Sequence, residues 1–468
     1  RIQTLHPLFC WHGFRYFETE GPCEVLCAEV IHTDVAVTSS FSCSDPVLNW
    51  LYKAYIRTQL DNYHGCIPSD CPHRERLGYT GDGQLTAETA MLLLDTKELY
   101  RKWYQDILDS QGAETGHIPH TAPFLGGGGG PGGWGCAVYQ VPLAWAKIYG
   151  DDSLLVQGYD AILRWFDYMD AHSEKGLVVR EEEGGWCLGD WCFPASEEKE
   201  QLPEAFINTF YYLHGLQEMM QISEKMNNKL PIRFAEREKN VKNAFLDAYF
   251  DPETGDFCEG RAAGNAYGLA LGLGDERTKK HLVEKYEALE RFDTGIFGTS
   301  MLLEQLFSIG AGDLAVRLLT NDSEAASFAH MKRNGATTLW ERWDGRESHN
   351  HPMFGACVRL LFTQILGIRM MPSAQPPVVI PTQPDVTTQP TQALKPLNGE
   401  LQPPAVPASA QHFSYEIRLS SQRQLTWAKG SIQTPDGILS VSWELLENGE
   451  KQVEWSLAPA GEDKVPTM

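Results

Sequence analysis

Helical patterning continues from Ser44 to about Arg369, and this feature most restricts what the chain can fold into. The first segment starts with Ser44 and Asp45 as candidate caps and Pro46 at the first helical position. A later segment spaces its large apolar residues so that they share one helix face: Leu155, Tyr159, Ile162, Phe166 and Met169. About ten or more helices of ordinary length fit between these limits. The pattern favours an (α/α)6 toroid, a two-layer ring of helices, over a four-helix bundle.

The composition changes near Pro372. Residues 372–407 hold ten prolines, which suits a connection better than a helix. Apolar and polar residues then alternate in three runs, 413–419, 439–445 and 453–457, and the turn sequences PDG and ENG precede the last two. This pattern predicts a C-terminal antiparallel β-sandwich packed on the helices. The alternation in GFRYFETEG, residues 13–21, predicts strands early in the chain as well.

Charge and cysteine content limit the partners and the location. The formal charge of −23 argues against nucleic acid, whose phosphates need a basic surface. No apolar run reaches the length of a membrane span, so we expect a soluble protein without membrane contact. Eleven cysteines without regular spacing indicate reduced thiols and a cytoplasmic location. The chain starts at Arg1 without a signal peptide, so we expect a longer parent protein, and a secreted or periplasmic location stays open.

Residues 69–82, SDCPHRERLGYTGD, concentrate acids, arginines, a cysteine and a histidine in one loop. A metal site here would use His64, Cys66, Cys71 and His73. Their H-x-C-x4-C-x-H spacing lacks the close cysteine pair of structural zinc sites, and free cysteines are most often small buried apolar residues. We therefore expect no metal.

The carboxylates of this loop, Asp70, Glu75 and Asp82, lie beside Arg74 and Arg76. Such a cluster is usually a solvated, salt-bridged loop, but the neighbouring Cys, Pro, Leu, Gly and Tyr residues suit partial burial. Other loops also combine Trp with Gly, and most of them carry an acid: 132–137, 184–194 and 337–345. At one end of a toroid, such loops would line a pocket with aromatic faces and carboxylates, which suits sugars. For any single Trp, a place in the core is equally expected.

A second acidic stretch is NGATTLWERWDGRESHNHPMFGA, residues 334–356. Glu341 lies between Trp340 and Trp343 there. Aromatic neighbours reduce the hydration of a carboxyl group and raise its pKa, which suits proton transfer near neutral pH. His349 and His351 follow, and each is also consistent with an ordinary loop histidine.

Together these motifs resemble the bacterial α-L-rhamnosidases of glycoside hydrolase family 78. The resemblance rests on DCPHRERLGYTGD, GDW, GATTLWERWDG and SHNHPMFGA, with HGFRY, FSCSDPVLNWLY and TPDGILSVSWE in the same order, and it covers nearly the whole chain. It implies a mainly α fold, an (α/α)6 barrel of the six-hairpin glycosidase type. It implies three domains: 1–34 as the last strands of an N-terminal β domain, 35–371 as the catalytic barrel, and 372–468 as the Pro-rich connection with a C-terminal β-sandwich.

The activity that the resemblance implies is hydrolysis of terminal α-L-rhamnosides with inversion, without a cofactor. Carried onto this sequence, Glu75 becomes the general acid and Glu341 the general base. The residues that would bind or enclose the sugar are Asp70, Arg74, Tyr79, Asp82, Trp134, Trp186, Trp191, Trp340 and His351. Tyr79 stands where the family usually has Trp, and Phe328 where it has Tyr or Trp, which puts the aglycone preference in doubt.

The expected partner is a rhamnose-containing glycoside or oligosaccharide, and a homodimer stays open. Two alternatives remain at this point. One is another (α/α)6 carbohydrate enzyme, such as an unsaturated-uronyl hydrolase, and the other is a sugar-binding protein without catalysis. The presence of both Glu75 and Glu341 argues against the second, because binding alone needs no matched acid and base.

Overall fold

The structure of the protein, a computed structural model, describes residues 3–8, 10–25, 27–126, 132–179, 188–194, 199–225, 230–322, 326–372 and 413–459. Twelve α-helices lie in this part of the chain. They are α1 Pro46–Asp61, α2 Thr80–Leu93, α3 Lys97–Ser110, α4 Ala137–Tyr149, α5 Ser153–Ala171, α6 Glu204–Lys225, α7 Ile232–Tyr249, α8 Gly264–Ala270, α9 Glu276–Leu289, α10 Ile296–Ser308, α11 Gly312–Thr320 and α12 Phe328–Arg333. A short 3-10 turn, Cys258–Gly260, precedes α8, and a 3-10 turn, Met353–Val358, and a π turn, Leu361–Ile365, follow α12. None of the described helices has the length and apolar character needed to cross a bilayer.

The helices form two concentric layers. In the inner layer, α2 packs on α4, α8 on α10, and the segment 353–358 on both α10 and α2. Helix α6 fills the remaining place, because its Phe210 contacts Tyr267 of α8 and its Gly215 lies against Tyr139 of α4. The outer layer holds α1, α3, α5, α7, α9 and α11, and contacts of α1 with α11 and α12 close the ring. This is the (α/α)6 toroid that the helical pattern predicts.

Local sequence explains where the helices begin and which faces they bury. The Asp45 carboxylate accepts hydrogen bonds from the backbone N–H groups of Val47 and Leu48, at 2.7 and 3.0 Å, and Pro46 starts α1. Both features match the predicted start, because a cap satisfies N–H groups that have no partner within the helix. The apolar stripe predicted between residues 155 and 169 lies in α5 and is buried except for the half-buried Tyr159.

Connections that run from an outer helix to an inner helix meet at one end of the ring. The N–H of Thr80, after the α1–α2 connection, donates to the carbonyl of His120 in the α3–α4 connection at 2.7 Å. The Trp343 indole N–H donates to the carbonyl of Thr294 in the α9–α10 connection at 3.0 Å. Residues far apart in the sequence are thereby gathered at this end, where the acidic loops lie.

Antiparallel strands follow the helical part, as predicted. A four-stranded sheet has the order β1 (Ser39–Cys43), β10 (Trp427–Thr434), β11 (Gly437–Leu445) and β12 (Lys451–Ala458). Two-residue hairpins lie in the connections between helices: β2–β3 (Tyr63–His64 and Ile67–Pro68), β4–β5 (Ser173–Glu174 and Leu177–Val178) and β6–β7 (Phe250–Asp251 and Asp256–Phe257). Strand β8 (Ile368–Pro372) pairs with β9 (Phe413–Ile417). The sheet packs on the barrel through buried residues such as Trp443, whose indole N–H donates to the carbonyl of Ile365.

Two features at the domain limits differ from the sequence reading. Strand β1, which precedes the first helix, pairs with β10 of the C-terminal sheet, with Phe41 opposite Gly430. The described residues of 3–34 form no strand, although their alternation predicts strands. Large side chains there, such as Tyr16, are exposed, and alternation without a partner strand does not stabilise a ladder. The three domain limits stay a prediction.

The start of α10 depends on a buried carboxylate from another connection. Asp190 accepts hydrogen bonds from the backbone N–H groups of Gly295, Phe297 and Gly298, at 2.8, 2.9 and 3.0 Å. In the same connection, the Trp191 carbonyl accepts from the Ile296 N–H at 2.9 Å. The cap thus fixes Trp191, a predicted site residue, against α10.

Replacing Asp190 by alanine should lower the free energy of unfolding by about 3–5 kcal/mol, because it leaves three buried N–H groups without an acceptor. Urea unfolding followed by circular dichroism measures the change. The matched control is Glu276→Ala, an exposed acid in the first turn of α9, which should stay within about 0.5 kcal/mol of the parent protein. Equal stability of Asp190→Ala and the parent would contradict this account of the cap.

Candidate active site

The loop after α1 is closed at its base by Asp70. Its backbone N–H donates to the carbonyl of Leu77 at 3.1 Å, and its carboxylate accepts from the Leu77 N–H at 2.9 Å. Residues 71–76 are therefore held as a compact turn between two fixed points. Asp70 is only 1% exposed, whereas the Glu75 side chain at the tip is 40% exposed. The base of the loop is thus buried, and its tip is partly exposed.

The second acidic loop folds back on itself around Glu341. The Glu341 N–H donates to the carbonyl of Ser348 at 2.8 Å, and the Ser348 N–H donates to the Glu341 carboxylate at 3.0 Å. The N–H of His351 donates to the carbonyl of Leu339 at 2.9 Å. Glu341 and His351 are 5% and 4% exposed. The Glu341 side chain is therefore fixed by a backbone contact, and both side chains are shielded from water.

One guanidinium joins the two loops. Arg74 donates from Nη2 to Glu341 Oε2 at 2.9 Å and from Nη1 to Glu347 Oε2 at 2.7 Å. Its Nε lies 3.5 Å from Glu75 Oε1. The structure thus brings together Glu75 and Glu341, the acid and base of the sequence prediction, which are 266 positions apart in the sequence.

The carboxyl group of Glu75 has a perturbed pKa of about 7, raised from 4.5. Loss of hydration raises it most, followed by the hydrogen bond to Asp70 and the negative charge of Asp70, while Arg74 lowers it. Because hydrogen bonds to Leu77 fix Asp70, the loop holds Asp70 in the position where it raises the pKa of Glu75. Near neutral pH a substantial share of Glu75 therefore holds a proton that it can donate.

His351 and Asp82 form a buried pair below the two glutamates. His351 Nε2 lies 3.0 Å from Asp82 Oδ1, and His351 Nδ1 lies 3.6 Å from Glu341 Oε2. Burial alone would lower the pKa of His351, but the hydrogen bond to Asp82 and the charges of Asp82 and Glu341 raise it above its usual value. Burial raises the pKa of Asp82, and His351 opposes this. The pair orients the imidazole toward Glu341.

The aromatic residues predicted to line the pocket differ in how deeply they are buried. Trp134 is buried against the first turn of α2 at Gly81, and its ring contacts Phe297. Trp340 is also buried and stacks on His349, with ring centroids 4.6 Å apart.

Trp191 is half-buried, and the Arg342 guanidinium lies over its ring at 5.1 Å. Tyr79 is half-buried as well, and burial with the charges of Glu75 and Asp70 raises the pKa of its hydroxyl. Trp186 lies outside the described residues. The roles of these aromatic residues as pocket walls stay a prediction.

Three residues make contacts at the site that the sequence did not predict. Glu347 binds Arg74, the Cys71 thiol donates to Asp70 Oδ2 at 2.9 Å, and the Ser348 N–H binds Glu341. Glu347 also has a positive φ of 65°, unusual for a residue with a side chain. A signal for Glu347 was present, because it follows Glu341 by six positions in a loop rich in charges. The contacts of Cys71 and of the Ser348 backbone depend on the folded loops, and no sequence pattern marks them.

Residues 36–365 match the family described as the bacterial α-L-rhamnosidase six-hairpin glycosidase domain. The chain belongs to this family. This confirms the fold inferred from the motifs, since the six-hairpin barrel of the family is the (α/α)6 ring described above. The fit includes both acidic loops.

Curated relatives carry the same family name. An α-L-rhamnosidase of Streptomyces avermitilis is 29% identical over 394 residues, which cover 78% of this chain and 36% of that protein. An α-L-rhamnosidase of Formosa agariphila is 30% identical over 396 residues, covering 77% of this chain and 41% of that protein. The chain therefore spans less than half the length of these relatives.

Solved structures of the family have the same architecture. The Streptomyces avermitilis α-L-rhamnosidase in complex with L-rhamnose superposes with a TM-score of 0.73 at 26% identity, covering 89% of this chain and 37% of that one. The native Aspergillus terreus enzyme gives a TM-score of 0.74 at 24% identity, covering 92% of this chain and 48% of that one. The second likeness concerns the fold alone.

Proposed function

We propose that this chain hydrolyses terminal α-L-rhamnosides with inversion, with Glu75 as the general acid and Glu341 as the general base. The observation that carries the proposal is the pairing of these two acids on either side of Arg74. The family membership supports the substrate class, and the raised pKa of Glu75 supports its role as proton donor.

The proposed reaction is a single displacement. Glu75 donates its proton to the glycosidic oxygen as the bond from that oxygen to the anomeric carbon breaks. A water molecule attacks the anomeric carbon from the opposite face, and Glu341 takes one of its protons. An inverting pair needs carboxyl groups roughly 6.5–9.5 Å apart to leave room for this water. The aglycone leaves as an alcohol, and rhamnose leaves with the inverted anomeric configuration.

Binding of the rhamnose hydroxyls falls to the buried polar groups beside the acids. Asp70, Asp82 and His351 offer fixed acceptors and donors, and Arg74 completes the set. Because these groups are oriented by the backbone and by each other, they lose little freedom when sugar binds. Arg74 donates to Glu341, so a sugar hydroxyl that binds Arg74 competes with this ion pair.

The influence of Asp70 on Glu75 gives a pH prediction. Glu75 acts while protonated, so hydrolysis should fall as the pH rises through about 7. Replacing Asp70 by asparagine removes the negative charge that raises the pKa of Glu75. The alkaline limb of kcat should therefore move to lower pH.

This shift is measured from pH profiles of kcat, separately from any change in KM that a lost sugar contact causes. An unchanged or higher alkaline pKa in Asp70→Asn would contradict the assigned acid. The comparison variant is Glu347→Gln, which removes a charge near Arg74 without touching the Asp70–Glu75 contact.

An assay with an aryl α-L-rhamnoside separates this proposal from the other carbohydrate activities. Hydrolysis of the aryl rhamnoside, with the inverted anomer seen first by NMR, is the expected result. A folded chain that binds rhamnose but releases no aglycone would favour the non-catalytic reading. Release of the retained anomer would exclude the roles assigned to Glu75 and Glu341.

A further inference from the structure

Three buried groups of different chemistry converge beneath the candidate acid and base. A carboxylate oxygen of Asp70, the Sγ atom of Cys71 and a ring nitrogen of His351 lie within 4.8 Å of one another. All three residues are buried. Carboxylate, thiolate and imidazole are the ligands that zinc accepts in proteins.

The imidazole of His351 shares one feature with metal-binding histidines, a ring nitrogen held by a carboxylate. One ring nitrogen, Nε2, is bound to the carboxylate of Asp82 at 3.0 Å. The other, Nδ1, is buried and makes no hydrogen bond within the described part of the chain. Metal-binding histidines typically donate one N–H to a carboxylate and present the other nitrogen to the metal. Asp82 supplies this carboxylate, which leaves Nδ1 available.

We infer that Asp70, Cys71 and His351 bind a thiophilic divalent cation such as Zn²⁺, and that the bound cation inhibits the enzyme. The inhibition rests on the proposed function, whereas the binding does not. This ligand set differs from the spacing pattern of His64, Cys66, Cys71 and His73, which lacks the features of a zinc site.

The chemistry of binding is an exchange of a proton for a cation. The Cys71 thiol donates to Asp70 Oδ2 across 2.9 Å. The cation displaces this proton and, where the imidazole of His351 is charged, one ring proton as well. These protons pass to solvent, and the cation binds the thiolate, the carboxylate and the neutral imidazole. No electron is transferred. The two negative ligands balance the double positive charge of the cation.

The three ligand atoms are close enough for a tetrahedral site after shifts of about 1 Å. With zinc–ligand bonds of roughly 2.0–2.3 Å, ligand atoms of a tetrahedron lie about 3.3–3.8 Å apart. Cys71 Sγ and Asp70 Oδ2 are 2.9 Å apart, and all three ligand atoms lie within 4.8 Å of one another. Glu341 is bound to Arg74, so a water molecule takes the fourth position unless Arg74 moves.

A cation at this position opposes catalysis by competing with the sugar. It occupies Asp70 and His351, which the proposed function assigns to the rhamnose hydroxyls. Cation and sugar should therefore exclude each other.

The test uses the whole chain, freed of metal with a chelator, and ZnCl2 as the probe. Calorimetry should show one site in the parent protein. Cys71→Ser should weaken Zn²⁺ binding by more than about tenfold, because mutating a residue that only supports a metal ligand already costs about that much affinity. Cys43→Ser is the control, because Cys43 is also buried but lies in β1 of the C-terminal sheet. It should bind Zn²⁺ like the parent protein.

Two further measurements keep binding and activity separate. Cobalt(II) should give a thiolate charge-transfer band in the parent protein that Cys71→Ser lacks. Saturating L-rhamnose should weaken Zn²⁺ binding to the parent protein, and Zn²⁺ should inhibit hydrolysis of the aryl rhamnoside. Equal Zn²⁺ binding by the parent and Cys71→Ser, or no binding, overturns the site. Binding that depends on Cys71 in a protein without hydrolysis supports the site and overturns the proposed function.

Discussion

Replacing Glu341 by glutamine should reduce kcat for every rhamnoside by about 10²–10⁴-fold, the contribution expected of a positioned general base. Glutamine keeps the size of the side chain, and its carbonyl oxygen can still accept the hydrogen bond of the Ser348 N–H. It cannot take a proton from water. Steady-state kinetics with several aglycones should show a fall in kcat that does not depend on the leaving group, because the base acts on the water.

An external nucleophile tests whether the lost step is deprotonation of water. In Glu341→Ala, azide should restore turnover, because it attacks without losing a proton, and the product should be the rhamnosyl azide of inverted configuration. The matched control is Glu347→Gln, which changes the other glutamate of this loop that binds Arg74 and should change kcat far less. Equal losses in Glu341→Gln and Glu347→Gln would mean that both residues act only through Arg74.

The ring of helices was predictable because its signals are local. The cap at Asp45, the proline at 46 and the apolar stripe of α5 depend on residues within a few positions of each other. Pairing between β1 and β10 was not predictable in the same way. Ser40 and Ser431 lie opposite each other although 391 positions separate them, and a five-residue strand carries too little pattern to name its partner.

The candidate site was likewise predictable only in part. The motifs identify Glu75 and Glu341, and the structure brings them to one guanidinium. His351 pairs with Asp82, and Asp70 is buried. Both features depend on the packing of two loops that are far apart in the sequence. Burial and hydrogen bonding, which set the pKa of Glu75, arise only in the folded protein. Residue types were therefore predictable, whereas protonation states were not.

Replacing Glu75 by glutamine should have an effect that depends on the aglycone. For rhamnosides of ordinary alcohols and phenols, kcat should fall by about 10²–10⁴-fold, because the departing oxygen is then left without a proton donor. For a dinitrophenyl rhamnoside the loss should be small, because this aglycone leaves as a stable anion. The alkaline limb near pH 7 should disappear as well, because its cause is the loss of the Glu75 proton. Kinetics across a series of aryl rhamnosides and across pH measure both effects.

The two glutamate variants serve as controls for each other. On the dinitrophenyl rhamnoside, Glu75→Gln should remain active whereas Glu341→Gln should not, because only the second lacks the group that activates water. A loss of the same size for all aglycones in Glu75→Gln would show that this residue positions the sugar instead of protonating the leaving group. Persistence of the alkaline limb in that variant would assign the titration to another group. The His351–Asp82 pair is then the next candidate, since it lies within 3.6 Å of Glu341.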